Sequence, residues 1–259
     1  MNRKLLFNRL KQFGWVCFLL ILALSVTSAV QRKKSSICED IQVKIKKTTQ
    51  ADSTLITQKD VMDIMANSFE EAILGNRLER IDIGRMELIL ERNPFVKIAD
   101  VFIDSKNIIH IEIEQRTPMM RIMDSDGRNY YLDAEGNYMP TSPHYTARVP
   151  VITGFIPAHI PDFLARKQYG LKDIFELMTL LNNDLFYKAL IEQVHVSQNG
   201  DIILIPKMGK QQILFGHYVQ PEEKLSRLSI FYNEALPHEG WDKYKLIDIR
   251  FNNQIVCRK

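Results

Sequence analysis

Residues 95–118, FVKIADVFIDSKNIIHIEIEQRTP, decide how this chain folds. Phe95 to Ile103 is rich in β-branched residues. Ile108 to Glu114 alternates cleanly, with Ile109, Ile111 and Ile113 facing one way and His110, Glu112 and Glu114 the other. Period-two alternation of this kind predicts a half-buried strand, and Asp104 to Asn107 supplies the turn between the two runs. Upstream, Met86, Ile89 and Leu90 recur at i, i+3, i+4, so a helix is expected from Asp82 to the stop at Asn93-Pro94. An earlier helix is signalled by the capping box Thr57-x-x-Asp60, with Val61, Ile64 and Met65 on one face. Before it, residues 37–45 read as a strand through Ile41, Val43 and Ile45, followed by a polar turn over Thr48 to Ser53. The segment 37–117 therefore reads β-α-α-β-β.

Further upstream lies Phe13 to Val30, FGWVCFLLILALSVTSAV, 18 residues without a charge. A helix of that length spans about 27 Å, close to one bilayer core. Arg3, Lys4, Arg9 and Lys11 precede it, and Arg32, Lys33 and Lys34 follow. Two readings compete. Thr27-Ser28-Ala29 is compatible with signal-peptide cleavage, but the run exceeds the usual h-region and its basic trailing flank suits an interface. An uncleaved anchor is the expectation, with the 1–12 tail in the cytoplasm by the positive-inside bias. The first 34 residues hold seven of the 34 Lys+Arg and no acids. The remainder then carries 27 basic against 31 acidic residues, a net of −4. That balance argues against a nucleic-acid partner. Lys44, Lys46 and Lys47 form one local basic cluster, read as a solvated strand edge. Cys17 lies in the apolar run; Cys38 and Cys257 are expected to be free thiols, with a bridge between them as the alternative.

Downstream of Pro118 the pattern changes to short strands and hairpin turns, with Asp126-Gly127 and Glu135-Gly136 supplying positive φ. Arg148 to Thr153 reads as a strand. Leu171, Ile174, Phe175, Met178 and Leu181 mark an amphipathic helix over Gly170–Leu181. Asn199-Gly200 joins strands Ile191–Ser197 and Asp201–Pro206, and Gln211 to Phe215 adds another. Pro221 opens a second helix with Leu225, Leu228, Tyr232 and Leu236 on its buried stripe. Leu246–Phe251 and Ile255–Arg258 close the chain. The expected fold class is α+β: a transmembrane helix at 13–30, a βααββ domain at 37–117, and a mainly β domain with two helices at 118–259.

These residues, in this order, resemble the FtsQ/DivIB cell-division family. Asn93-Pro94-Phe95-Val96 and Ile111-Glu112-Ile113-Glu114-Gln115-Arg116-Thr117-Pro118 resemble the end of its POTRA domain. Leu132-Asp133-Ala134-Glu135-Gly136, Val149-Pro150-Val151-Ile152-Thr153-Gly154, Phe215-Gly216 and Lys224-Leu225 follow in family order. Ile247-Asp248-Ile249-Arg250-Phe251 resembles its closing strand. Pro157 to Lys167 has no counterpart in that pattern. The resemblance implies a single-pass protein of the bacterial inner membrane, with periplasmic domains, at the division septum. It implies FtsB-like and FtsL-like partners and a link to septal peptidoglycan synthesis. A C-terminal edge strand accepts a partner strand by β-addition. Arg250, Phe251, Lys224, Ile249 and Asn252 are the partner-binding candidates there, with core packing as the alternative for Phe251 and a local salt bridge as the alternative for Arg250. Read as surface, Arg250→Glu is expected to change stability by only ~0.5 kcal/mol.

Catalytic signatures are missing. No Gly-x-Ser-x-Gly, P-loop or Gly-x-Gly-x-x-Gly is present. The six histidines show no i, i+4 pairing or Cys/His ligand spacing, so neither metal nor cofactor is expected. Asp124-Ser125-Asp126-Gly127 lacks the third acid and terminal Glu of a calcium loop and reads as a hairpin turn. His110, Glu112 and Glu114 read as the polar side of a strand. A non-enzymatic scaffold is the leading expectation, bound to the bilayer through the N-terminal helix. The alternatives are a cell-envelope enzyme without a recognisable motif and an outer-membrane transporter. The helices in 118–259 argue against the barrel that a transporter needs.

Overall fold

The computed structural model describes residues 36–46 and 54–259, together with Trp15, Phe18, 20–22 and Leu24. Those six residues of the apolar run are helical and exposed. The 1–12 tail, Thr27 to Ala29, the flanking Arg32 to Lys34, Lys47 and the turn Thr48 to Ser53 lie outside the described residues. Among the described residues no helix is long and apolar enough to cross a membrane. The chain divides into two compact units: among the described residues, 36–46 and 56–115 belong to the first, and Thr54, Leu55 and 116–259 to the second.

The first unit is built from β1 (Asp40–Lys46), α1 (Gln58–Ser68), α2 (Ile83–Glu91), β2 (Val96–Ile103) and β3 (Ile108–Gln115). The sheet order is β1-β3-β2, with β1 parallel and β2 antiparallel to β3. Alternation sets the faces. Ile109, Ile111 and Ile113 are fully buried and pair in register with Ile41, Val43 and Ile45. Val61 and Met65 of α1 and Met86 and Leu90 of α2 complete that core. The Thr57 capping box forms as its spacing requires. Asp60 N donates to Thr57 Oγ1, and Thr57 N donates to Asp60 Oδ2 at 2.7 Å. On the solvent face Lys44 and Lys46 both reach Glu112, at 3.1 and 3.6 Å. His110 stacks on Phe102 and bonds Asp104 at 3.1 Å.

Two features depart from expectation here. The first strand starts at Asp40, because Ile37 bridges to Arg77 and Cys38 N donates to Asn76 O. The outer edge of β2 is not open: Glu87 of α2 accepts from Val101 N at 2.9 Å, and Glu91 from Ala99 N at 3.4 Å. Carboxylates on an edge strand's amides guard it against further pairing.

The second unit is a nine-stranded sheet. Its strands are β4 (Pro118–Asp124), β5 (Asn129–Asp133), β6 (Tyr138–Pro140), β7 (Val151–Gly154), β8 (Ile191–Val196), β9 (Ile202–Pro206), β10 (Gln212–Gly216), β11 (Leu246–Asp248) and β12 (Val256–Arg258). In space the order is β12-β11-β10-β9-β8-β7-β4-β5-β6. One row of partners crosses six strands: Ile122, Ile152, Val194, Leu204, Ile213 and Ile247. All six are fully buried. They lie in one core with α3 (Gly170–Asn183) and α5 (Pro221–Ile230), through Leu171, Ile174, Phe175, Met178, Leu225 and Leu228. A π-helical stretch, Phe231–Ala235, carries α5 into a short further helix at Leu236–Glu239, where Pro237 supplies no N–H.

The sheet region holds more helix than the expected two. The extra α4 (Leu185–Leu190) is only six residues, too short for a periodic signal; the Asp184 side chain caps it by accepting from Phe186 N. Strand β7 begins at Val151 rather than Arg148, since Pro150 has no N–H to enter a ladder. Asp124 is a turn residue, as read: its Oδ1 accepts from the N–H groups of Asp126 and Arg128. The stretch Pro157 to Lys167 packs Phe163 into the core beside Phe175, while His159 Nε2 meets Gly136 O at 3.1 Å. Cys38 and Cys257 are free thiols.

Candidate functional site

Strand β12 is one end of the nine-stranded sheet, and its register on β11 pairs Leu246 with Arg258, Ile247 with Cys257 and Asp248 with Val256. Unlike β2, it carries no side chain bonded to its backbone among the described residues. The opposite end, β6, finishes at Pro140, which lacks a donor. Tyr138 and Met139 keep their N–H groups, so β12 differs in that all three of its residues, Val256 to Arg258, carry a donor.

The turn that delivers β12 is built on a clamp. After Asp248 the strand stops, and Ile249 N donates to Leu214 O at 3.1 Å while its side chain enters the core with zero exposure. Asp248 is itself fully buried. Arg250 closes back over it: Nε donates to Oδ1 at 3.0 Å, Nη2 to Oδ2 at 2.8 Å, and the backbone N to Oδ1 at 3.1 Å. Burial alone would raise the Asp248 pKa, but the Arg250 hydrogen bonds and charge outweigh it and hold the carboxyl below its ordinary range. Arg250 Nη1 also lies 3.8 Å from Asp201. Its stem crosses Gly216, whose φ of +73° and missing side chain make room; a Cβ there would meet Arg250 Cγ and Cδ at 2.8 Å. From α5, Arg227 Nη2 donates to Ile249 O and Phe251 O, at 3.3 and 3.2 Å. Asn253 takes a positive φ of 58° and turns the chain toward β12.

The five candidates thus separate. Arg250, Phe251 and Asn252 are exposed, Phe251 at 43%. Phe251 sits in the turn and not in the strand or the core. Ile249 and Lys224 are interior, a correction to their reading as surface. Lys224 is buried with its ammonium on Phe215 O and His217 O, at 3.1 and 2.8 Å, over the Phe215 ring. Burial, and then the neighbouring Arg227, lower its pKa. Four further residues build the clamp: Asp248, Gly216, Arg227 and Asp201. Asp-x-Arg at a strand end signals the first. Nothing in sequence signals Arg227, which acts from a separate helix.

Fold and site together define a class: a βααββ unit of POTRA type followed by a mainly β, α+β domain whose sheet ends in a clamped, open C-terminal edge. A family model described as "FtsQ/DivIB, C-terminal related" matches residues 117–258, and one described as "POTRA-like domain" matches residues 36–114. The chain belongs to the FtsQ/DivIB family. "Cell division protein FtsQ" of Rhodothermus marinus is 30% identical over 173 residues, which cover 65% of this chain and 62% of that relative.

Proposed function

We propose that this protein is a non-enzymatic cell-division scaffold, anchored in the bacterial inner membrane by residues 13–30. Residues 37–117 and 118–259 act as periplasmic domains at the septum. In this reading the second domain accepts a strand from a single-span, FtsB-like partner on β12, with an FtsL-like protein in the same assembly. That complex links division to septal peptidoglycan synthesis. The observation that carries it is β12, an edge with no side chain bonded to its backbone among the described residues, beside exposed Arg250 and Phe251. Arg250 offers its outer guanidinium face to a partner carboxylate, and Phe251 offers apolar area. Ile249 and Lys224 act as positioning residues that hold the turn and the end of β10.

A photocrosslinking residue at Arg258 of the full chain, in its own bacterium, tests this. The expected result is a specific adduct with a small membrane protein, and depletion of the chain gives filaments without lysis. A folded, membrane-inserted protein that forms no adduct at Arg258 and whose depletion leaves cell length unchanged refutes the proposal.

A further inference from the structure

A cleft of about 600 Å³ opens where β4, β7 and β8 begin and β9 ends. That is within the range of ligand-binding pockets. It lies at least three strands from β12, about 14 Å at ~4.8 Å per strand, so it is a different surface from the open edge. Three cations line it, Arg148, Lys188 and Lys207, against a single carboxylate, Glu192. Among the described residues none of the three cations is in an ion pair; Lys207 Nζ only donates to Lys188 O at 3.3 Å. The Asn182 side-chain nitrogen, from the last turn of α3, is buried with no hydrogen-bond acceptor, and Asn182 lines the same cleft. A buried donor without a partner is destabilising, so an acceptor arriving there is favoured.

The floor determines the kind of anion. Pro118 and Pro150 stand at the starts of β4 and β7, with Met119, Val149 and Ile191 beside them. Prolines supply no N–H, so at Pro118 and Pro150 the cleft offers an oxyanion no backbone donor. It combines an apolar floor with cationic side chains and a waiting amide donor. We infer that this cleft binds an acidic peptide segment of a partner protein, its carboxylates held by Arg148, Lys188 and Lys207 and its apolar side chains laid on the Pro118 and Pro150 floor.

The test uses the full chain in non-ionic detergent and eight-residue peptides carrying a neutral dye, read by fluorescence anisotropy. The probes alternate leucine with glutamate, glutamine or lysine. The glutamate peptide is expected to bind saturably, at least ten-fold tighter than the glutamine peptide, and more weakly as salt rises. Arg148→Glu with Lys188→Glu should weaken it at least ten-fold with an unchanged melting temperature. Arg148→Gln alone should weaken it at least three-fold, and Lys106→Glu, on the other unit, should leave it intact. Removing Ile255–Lys259 should also leave it intact, which separates this site from the edge at β12. The inference is overturned if glutamate and glutamine peptides bind alike, if a folded Arg148/Lys188 variant binds normally, or if inorganic phosphate at constant ionic strength displaces the peptide at concentrations equal to the peptide's own Kd.

Discussion

Arg250→Glu should unfold the second unit far more readily than a surface substitution does. Asp248 has zero exposure, and two of its three hydrogen bonds come from the Arg250 guanidinium. Glutamate removes both and sets a third carboxylate beside Asp248 and Asp201. Breaking a buried ion pair by deleting one partner costs ~3–5 kcal/mol. The Arg250 side chain is 39% exposed, so water screens its outer half and the lower end, ~3 kcal/mol, applies. This replaces the ~0.5 kcal/mol expected when Arg250 is read from sequence as plain surface. For a unit of this size, ~3 kcal/mol lowers Tm by roughly 10 °C. Trp241 is the only tryptophan past the N-terminal run, so its fluorescence during urea unfolding of residues 36–259 follows the second unit. Arg250→Lys keeps the charge but loses the fork, and should cost ~1 kcal/mol. Asp248→Asn with Arg250→Gln removes both charges and should recover at least half the loss. If Arg250→Glu unfolds within ~1 kcal/mol of the parent, or the double variant is as unstable as Arg250→Glu, the clamp is not what holds this turn.

Gly216→Ala should cost ~1–3 kcal/mol, because it combines a positive φ with a Cβ 2.8 Å from the Arg250 stem; the same fluorescence measurement checks it. Asp248→Asn should change the acid limb of stability. The folded pKa of Asp248 lies below its unfolded value near 3.9, so its contribution is complete above about pH 5 and is lost as pH falls through the folded pKa. The gap between parent and Asp248→Asn should therefore narrow below pH 4 in urea titrations at stepped pH; a constant gap contradicts the assignment. Phe251→Ala should leave Tm within 2 °C and weaken partner recovery in pull-downs, since the ring is exposed; a fall of ~3 kcal/mol in stability would make it a core residue. Residues 36–115 and 116–259, expressed apart, should each give dispersed amide spectra, and an unstructured first fragment would contradict two independent folding units.

How much of this was legible in sequence follows the range of the interactions involved. Local rules wrote themselves plainly: the isoleucine alternation of β3, the Thr57–Asp60 box and the Asn199-Gly200 hairpin all form where their spacing places them. Each is decided within about four residues, so a linear reading reaches it. The row Ile122, Ile152, Val194, Leu204, Ile213 and Ile247 was legible only as separate apolar positions, because the order that lines them up is set by parallel crossovers of long sequence separation. The site shows the same divide within five residues. The alternation Ile247, Ile249, Phe251 suggests one continuous strand, and Asp248-x-Arg250 signals the pair but not its burial, which follows only once Gly216, 32 positions earlier, leaves room for Arg250 above it. Once that pairing forms, its geometry stops the strand, seats Ile249 in the core and leaves Phe251 outside. A charge pair that looks like surface in sequence thus sets which residues remain available to a partner.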